Sequence, residues 1–190
     1  AKAFDTDLQD LNRMVAEMGG LAEKEIAEAV QSLTRRDTAL ARRMIATDKQ
    51  VDVLQRELEE RAVLTIARRQ PMAVDLREIV SALRVANEIE RIGDLAVNMA
   101  ERVITLCDEP PHDFGVNLAA MSDIAQAMLR DVLDAFVSGD VAKAERVVAA
   151  ETLRKQAPGD SVTLLGDEPG PPYSRMAIPY LLMGNIEEPG

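Results

Sequence analysis

Pro71 constrains this chain more than any other residue. Proline lacks a backbone N–H, and its ring clashes with the preceding turn, so no regular helix runs through it. On either side lies a long stretch of unbroken helical period. Before it, Leu40, Met44, Val51, Leu54, Leu58 and Ala62 form one apolar stripe, which predicts a helix from about Thr38 to Arg69. After it, Leu76, Ile79, Val80, Leu83, Ala86, Ile89 and Val97 form another, which predicts a helix from about Asp75 to Leu106. Gln70, as the residue before proline, is expected to be extended.

A first helix is expected from about Asp5 to Arg35, carried by Leu8, Leu11, Val15, Met18, Ala22, Ile26, Ala29 and Leu33. Gly19 and Gly20 weaken its middle, which close packing against a neighbour would justify. Asp37 is placed to cap the second helix. Three helices of roughly 30 residues would each span ~45 Å. The short links between them imply antiparallel neighbours in a bundle.

Composition supports an all-α fold and narrows the function. Aromatic residues make up 3% of the chain and Trp is absent, so the core must be aliphatic. A formal net charge of −11 disfavours nucleic-acid binding, which calls for a basic face, and docking on an anionic membrane. No apolar run approaches the ~18 residues that span a bilayer. The stretch AKAFDTDLQD lacks the apolar core of a signal peptide, which points to a cytoplasmic protein. Cys107 is the one cysteine and His112 the one histidine, so the thiol reads as a lone structural one.

Residues 107–114 form a Pro-rich linker after a first bundle of residues 1–106. A fourth helix is expected from about Gly115 to Val137, with Leu118, Met121, Ile124, Met128, Leu129, Leu133 and Phe136 apolar. A fifth starts at Ser138-Gly139-Asp140. A constant shift superimposes the two halves: Leu11 falls on Phe114, Met18 on Met121, Ile26 on Leu129, Leu33 on Phe136, Asp37 on Asp140 and Ala41 on Ala144. This is a degenerate internal repeat. It makes residues 115–156 a partial second bundle. Residues 157–190 hold six prolines and five glycines and are expected to be an irregular tail. The apolar seam through Leu118, Ile124, Leu129, Leu133 and Phe136 is expected to need covering, by a second copy or, as the alternative, by docking back on the first three helices.

The third expected helix carries a stripe of oxygen-bearing side chains, namely Asn87, Glu90, Asp94, Asn98 and Glu101. At 100° per residue they fall within roughly 80° of one another. No Lys or Arg lies inside the stripe; Arg84 and Arg91 sit at its edge. Glu90 and Asp94 are an i, i+4 pair, and the second helix offers Asp48 and Asp52 at the same spacing, with Gln55 and Glu59 beyond. Clustered carboxylates repel unless a cation lies between them. All-oxygen ligation suits Mg²⁺, Mn²⁺, Ca²⁺ or iron better than a structural zinc. Spacing alone leaves an ordinary solvated helix face open as the alternative. A carboxylate di-iron enzyme would need Glu-x-x-His on two helices, and the single His112 does not supply it.

The run Gln70-Pro71, Asp75-Leu76-Arg77, Glu90-Arg91-Ile92-Gly93-Asp94, Ala96, Asn98 and Ala100-Glu101 resembles the bacterial PhoU family of phosphate-transport accessory proteins. Phe4, Leu8 and Leu11, then Asp48 and Asp52, match the same pattern, and the resemblance covers roughly residues 4 to 151. It implies a fold of repeated three-helix bundles. It also implies a metal ion, divalent or ferric (magnesium, manganese, iron or zinc), at Asp48, Asp52, Glu90 and Asp94, with Asn87, Asn98 and Glu101 as further residues of that face. The implied function is negative regulation of phosphate uptake and starvation signalling. The implied partners are phosphate ABC transporter subunits and a sensor histidine kinase, with self-association into a homodimer or larger assembly and without catalysis. The competing class is a metal-storage bundle or carboxylate metalloenzyme. After Glu151 the chain departs from the family pattern, so a second acidic motif is not expected.

Overall fold

In a computed structural model, residues 2–47, 49–111 and 117–145 are described. Every element among them is helical: α1 Lys2–Arg35, α2 Thr38–Thr47, α3 Lys49–Arg69, α4 Ala73–Leu106 and α5 Leu118–Ser138. The second expected helix is thus present as α2 and α3 on either side of Asp48, which lies outside the described residues. The chain divides into two compact units, residues 1–130 and 131–190.

In the first unit the direction of each helix follows from its links and ion pairs. α1 reverses at Arg36-Asp37 by a six-residue C-terminal turn. Arg36 adopts φ 53°, its N–H reaches the Leu33 carbonyl at 3.2 Å, and the Asp37 N–H reaches Ser32 at 2.8 Å. The Asp37 carboxylate then accepts from the Leu40 N–H at 2.9 Å, which caps α2 as the sequence predicts. α2 and α3 therefore run back along α1. Arg69 meets Asp7 at 2.9 Å and Arg61 meets Asp10, so the C-terminal end of α3 lies beside the N-terminal end of α1.

α4 reverses direction again and runs parallel to α1. At its far end the Arg36 guanidinium donates to the carbonyls of Leu106 (3.1 Å), Cys107 (3.0 Å) and Glu109. The Leu106 and Cys107 carbonyls lie at the C-terminus of α4, where the helix dipole favours a cation.

The α1–α4 seam holds most of the core. Leu11, Met14, Val15, Met18 and Ala22 are buried from α1, and Ile79, Val85, Ala86 and Ile89 from α4. Near the Arg36 end the residues are smaller: Ala29, Ala41, Ala96 and Ala100 cluster with Met44 and Val103. Small side chains let the helix axes approach closely. Cys107 packs against that cluster, in keeping with a structural thiol. Gly19 is buried as close packing requires, whereas Gly20 is exposed and a Cβ there would meet nothing within 4 Å.

Two expectations are corrected. Gln70 is not extended; its φ is 48°, and its N–H still bonds the Ile66 carbonyl at 3.0 Å. It ends α3 as a left-handed terminator, and this final hydrogen bond wins over the pre-proline preference for extended backbone. Leu76 is exposed rather than inward, because it lies in the first turn of α4 at the bundle's end. Burial varies along the α5 seam: Leu129, Leu133 and Phe136 are buried, Leu118 is half-buried, and Ile124 alone of the five is exposed.

The second unit repeats the first turn. Gly139 has φ 66°, the Gly139 N–H reaches Phe136 at 3.3 Å, and the Asp140 N–H reaches Ala135 at 3.0 Å. The Asp140 carboxylate caps Lys143 N–H at 2.9 Å. Residues 141–145 continue as helix, and the tail expected from residue 157 lies outside the described residues.

Candidate metal face on α3 and α4

α4 buries Val85, Ala86, Ile89, Gly93, Ala96, Ala100 and Val103 along one side. That choice of inward face forces the oxygen-bearing stripe outward. Asn87, Asp94, Asn98 and Glu101 are exposed, and Glu90 is half-buried. α3 inserts Val51, Leu58 and Ala62 into the core, which leaves Asp52 and Gln55 half-buried at the edge.

One contact fixes how the two edges meet. The Gln55 side-chain amide donates to the Asn87 carbonyl oxygen at 2.7 Å. α3 and α4 are antiparallel, so three residues back along α3 and three forward along α4 move the same way by about 4.5 Å. Asp52 and Glu90 are therefore at one level, a turn beyond the amide pair. Asp48, the fourth expected ligand, lies outside the described residues.

The acids have local counter-charges. Arg56 reaches the Asp52 carboxylate at 3.9 Å and the Asp52 carbonyl at 3.2 Å. Arg91 pairs with Glu88 at 3.5 Å, beside the stripe rather than within it. Among the described residues no three His, Cys, Asp or Glu side chains converge closely enough to hold a metal ion. Asp52, Glu90 and Asp94 thus do not make a site by themselves. The donor set still fits a hard cation, being oxygen throughout.

Sequence reasoning named Gln55 and Asn87 but did not pair them. The signal was available: the positions of Gln55 with Asn87, and of Asp52 with Glu90, are mirror-related about the Pro71 reversal. Arg36 was missed altogether, since a capping contact about 70 residues away in sequence leaves no local pattern.

With this geometry in hand, similarity to known proteins becomes informative. The PhoU domain family matches residues 15–103. A phosphate-specific transport system accessory protein PhoU homolog of Pseudomonas putida is 35% identical over 176 residues, covering 89% of this chain and 68% of that protein. The chain belongs to the PhoU family. A homolog of the same description from Rhizobium meliloti is 42% identical over 146 residues, 76% of this chain. The chain spans 62% of that relative's length. The crystal structure of PhoU from Pseudomonas aeruginosa superimposes with a TM-score of 0.73 at 35% identity, covering 80% of this chain and 74% of that one. The all-α PhoU bundle expected from sequence is therefore the fold. The matched segment contains Asp48, Asp52, Gln55, Asn87, Glu90 and Asp94, so the acidic face lies within the shared domain.

Proposed function

We propose that this chain is an accessory regulator of phosphate uptake and phosphate-starvation signalling. It acts by contact with subunits of a phosphate ABC transporter and with its sensor histidine kinase, rather than by catalysis. The observation that carries this reading is membership of the PhoU family, whose relatives are phosphate-specific transport system accessory proteins. No described helix is long and apolar enough to cross a membrane; the reading places the chain on the cytoplasmic side, docked on these partners.

The proposal includes a hard divalent or ferric cation on the α3–α4 face, held by Asp48, Asp52, Glu90 and Asp94. Its support is the oxygen-only donor set and the common level of Asp52 and Glu90. The ion would neutralise clustered carboxylates and so set the charge that this face presents to a partner.

Two experiments test the proposal. Purification of the tagged full chain from membranes of phosphate-replete cells should recover transporter subunits or the sensor kinase; recovery of neither overturns the regulatory reading. Calorimetry with Mn²⁺ should show saturable binding that weakens in Asp52→Ala and Asp94→Ala, and an unchanged double variant eliminates the site. The reading also includes self-association, which sedimentation at micromolar concentration tests: a monomer with no concentration dependence overturns it.

A further inference from the structure

On the acidic face an arginine of the chain itself stands against a candidate ligand. Arg56 follows Asp52 by four residues on α3, so the two side chains are neighbours on one face. The Arg56 Nε–H donates to the Asp52 main-chain carbonyl at 3.2 Å, which anchors the side chain over the first turn of α3. A terminal guanidinium nitrogen then lies 3.9 Å from the Asp52 carboxylate. That distance gives Coulombic attraction but is too long for a hydrogen bond. The pair is open to water, with the Arg56 side chain 69% and the Asp52 side chain 38% exposed. A loose, solvated ion pair of this kind holds weakly and is readily given up.

The sequence of α3 gives Arg56 a second place to go. Glu60 follows it by another four residues, and both are exposed. Arg56 therefore stands midway between two carboxylates, one at the candidate cation position and one a turn further from it. Its neighbours on this face are placed otherwise. Arg91 on α4 pairs with Glu88 at 3.5 Å, beside the oxygen-bearing stripe. The contact that crosses from α3 to α4 a turn from Asp52 is the Gln55–Asn87 amide bond, which brings no charge. Arg56 is thus the positive charge that the chain supplies at Asp52.

We propose that Arg56 is an internal competitor at the cation site: it neutralises Asp52 while the face is empty and moves to Glu60 when Asp52 serves as a ligand to a hard divalent cation. A guanidinium and a divalent ion repel each other across one carboxylate, so Arg56 cannot keep its place beside a loaded Asp52. The guanidinium has a carboxylate at i, i+4 spacing in either position. Its departure sets the affinity of the face below what the carboxylates alone would give. This inference rests on the cation proposed above and assigns the residue that tunes it.

Calorimetry with Mn²⁺ on the full chain tests the assignment. Arg56→Gln should bind about two- to fivefold tighter than wild type, the range that an exposed ion pair commands. A gain in affinity does not arise from a damaged fold. Arg56→Lys keeps the charge and should stay near wild type. The gain from Arg56→Gln should shrink in high salt, which screens the exposed pair. Glu60→Gln should weaken binding about twofold in the wild-type background and have no effect beside Arg56→Gln, because Glu60 acts through Arg56. Saturable wild-type binding that Arg56→Gln leaves unchanged or weakens overturns the competitor and leaves the cation site standing. Equal tightening by Arg91→Gln reduces the effect to overall charge and overturns it as well. A Glu60 effect that persists beside Arg56→Gln overturns the move to Glu60. No saturable wild-type binding overturns the cation site and this inference together.

Discussion

The turns at Arg36-Asp37 and Gly139-Asp140 are one backbone arrangement made with different residues. Both place a left-handed residue after a long helix, both close the same two carbonyl bonds, and both cap the next helix with aspartate. The second uses glycine, which adopts positive φ at little cost. The first uses arginine, whose Cβ makes that conformation unfavourable by roughly 1–2 kcal/mol. The structure shows what offsets this: the Arg36 guanidinium holds three carbonyls at the end of α4. A repeated turn has thus kept its backbone while one copy has gained a side-chain task. Polarity around the turn differs as well. Thr34 and Thr38 in the first copy correspond to exposed Val137 and Val141 in the second.

This comparison can be broken or sharpened by substitution. The largest effect should come from Met44→Ala, which hollows the small-residue cluster beneath the first turn. It should destabilise the first unit by about 2–5 kcal/mol in urea unfolding, and a loss under 1 kcal/mol would mean the cluster collapses around the gap. Arg36 comes next. Arg36→Ala keeps the backbone strain and loses the carbonyl bonds, so it should cost about 1–2 kcal/mol. Arg36→Gly should be milder, because relief of strain offsets part of that loss. Equal costs would refute the account of why arginine is tolerated.

The aspartate caps should behave alike in both copies. Asp37→Ala and Asp140→Ala should each lower stability by about 1 kcal/mol, read for each turn by hydrogen exchange of its amides. Gly139→Ala should cost a similar amount, about 1 kcal/mol. A Cβ at Gly139 meets no atom within 4 Å, so that cost is conformational alone. The smallest effect belongs to Lys143. Its hydrogen bond to Asp134 is the main reason its ammonium is held above the usual lysine range; burial opposes this, and Asp131 adds a second, weaker bond. A raised lysine pKa stabilises the fold below the unfolded value, and the contribution is lost as pH rises through the folded value. Lys143→Met should therefore speed exchange at this turn slightly at neutral pH, and the difference should fade only in strongly alkaline solution.

Much of this was legible in the residues. The Pro71 boundary, the aliphatic stripes and the shift relating Asp37 to Asp140 are local or periodic signals, and the helices follow them. Gln70 was misread because a statistical preference before proline yielded to the hydrogen bond that ends α3. On α5, periodicity shows which face is apolar but not what covers it. On the acidic face, spacing revealed the i, i+4 pairs. Only the Gln55–Asn87 bond reveals that Asp52 and Glu90 share a level, since which residues meet across two helices depends on the whole reversal at Pro71.

The parallel pairing of α1 with α4 has a consequence for synthesis. α1 leaves the ribosome first, yet the helix that buries Leu11, Met14 and Met18 is not complete until Leu106 has been translated. At bacterial elongation rates of about 5–20 residues per second, the apolar side of α1 waits roughly 4–14 s for its partner. During that interval α2 and α3 are the segments available to shield it. The Arg36-Asp37 turn, which sends α2 back along α1, decides which segments those are.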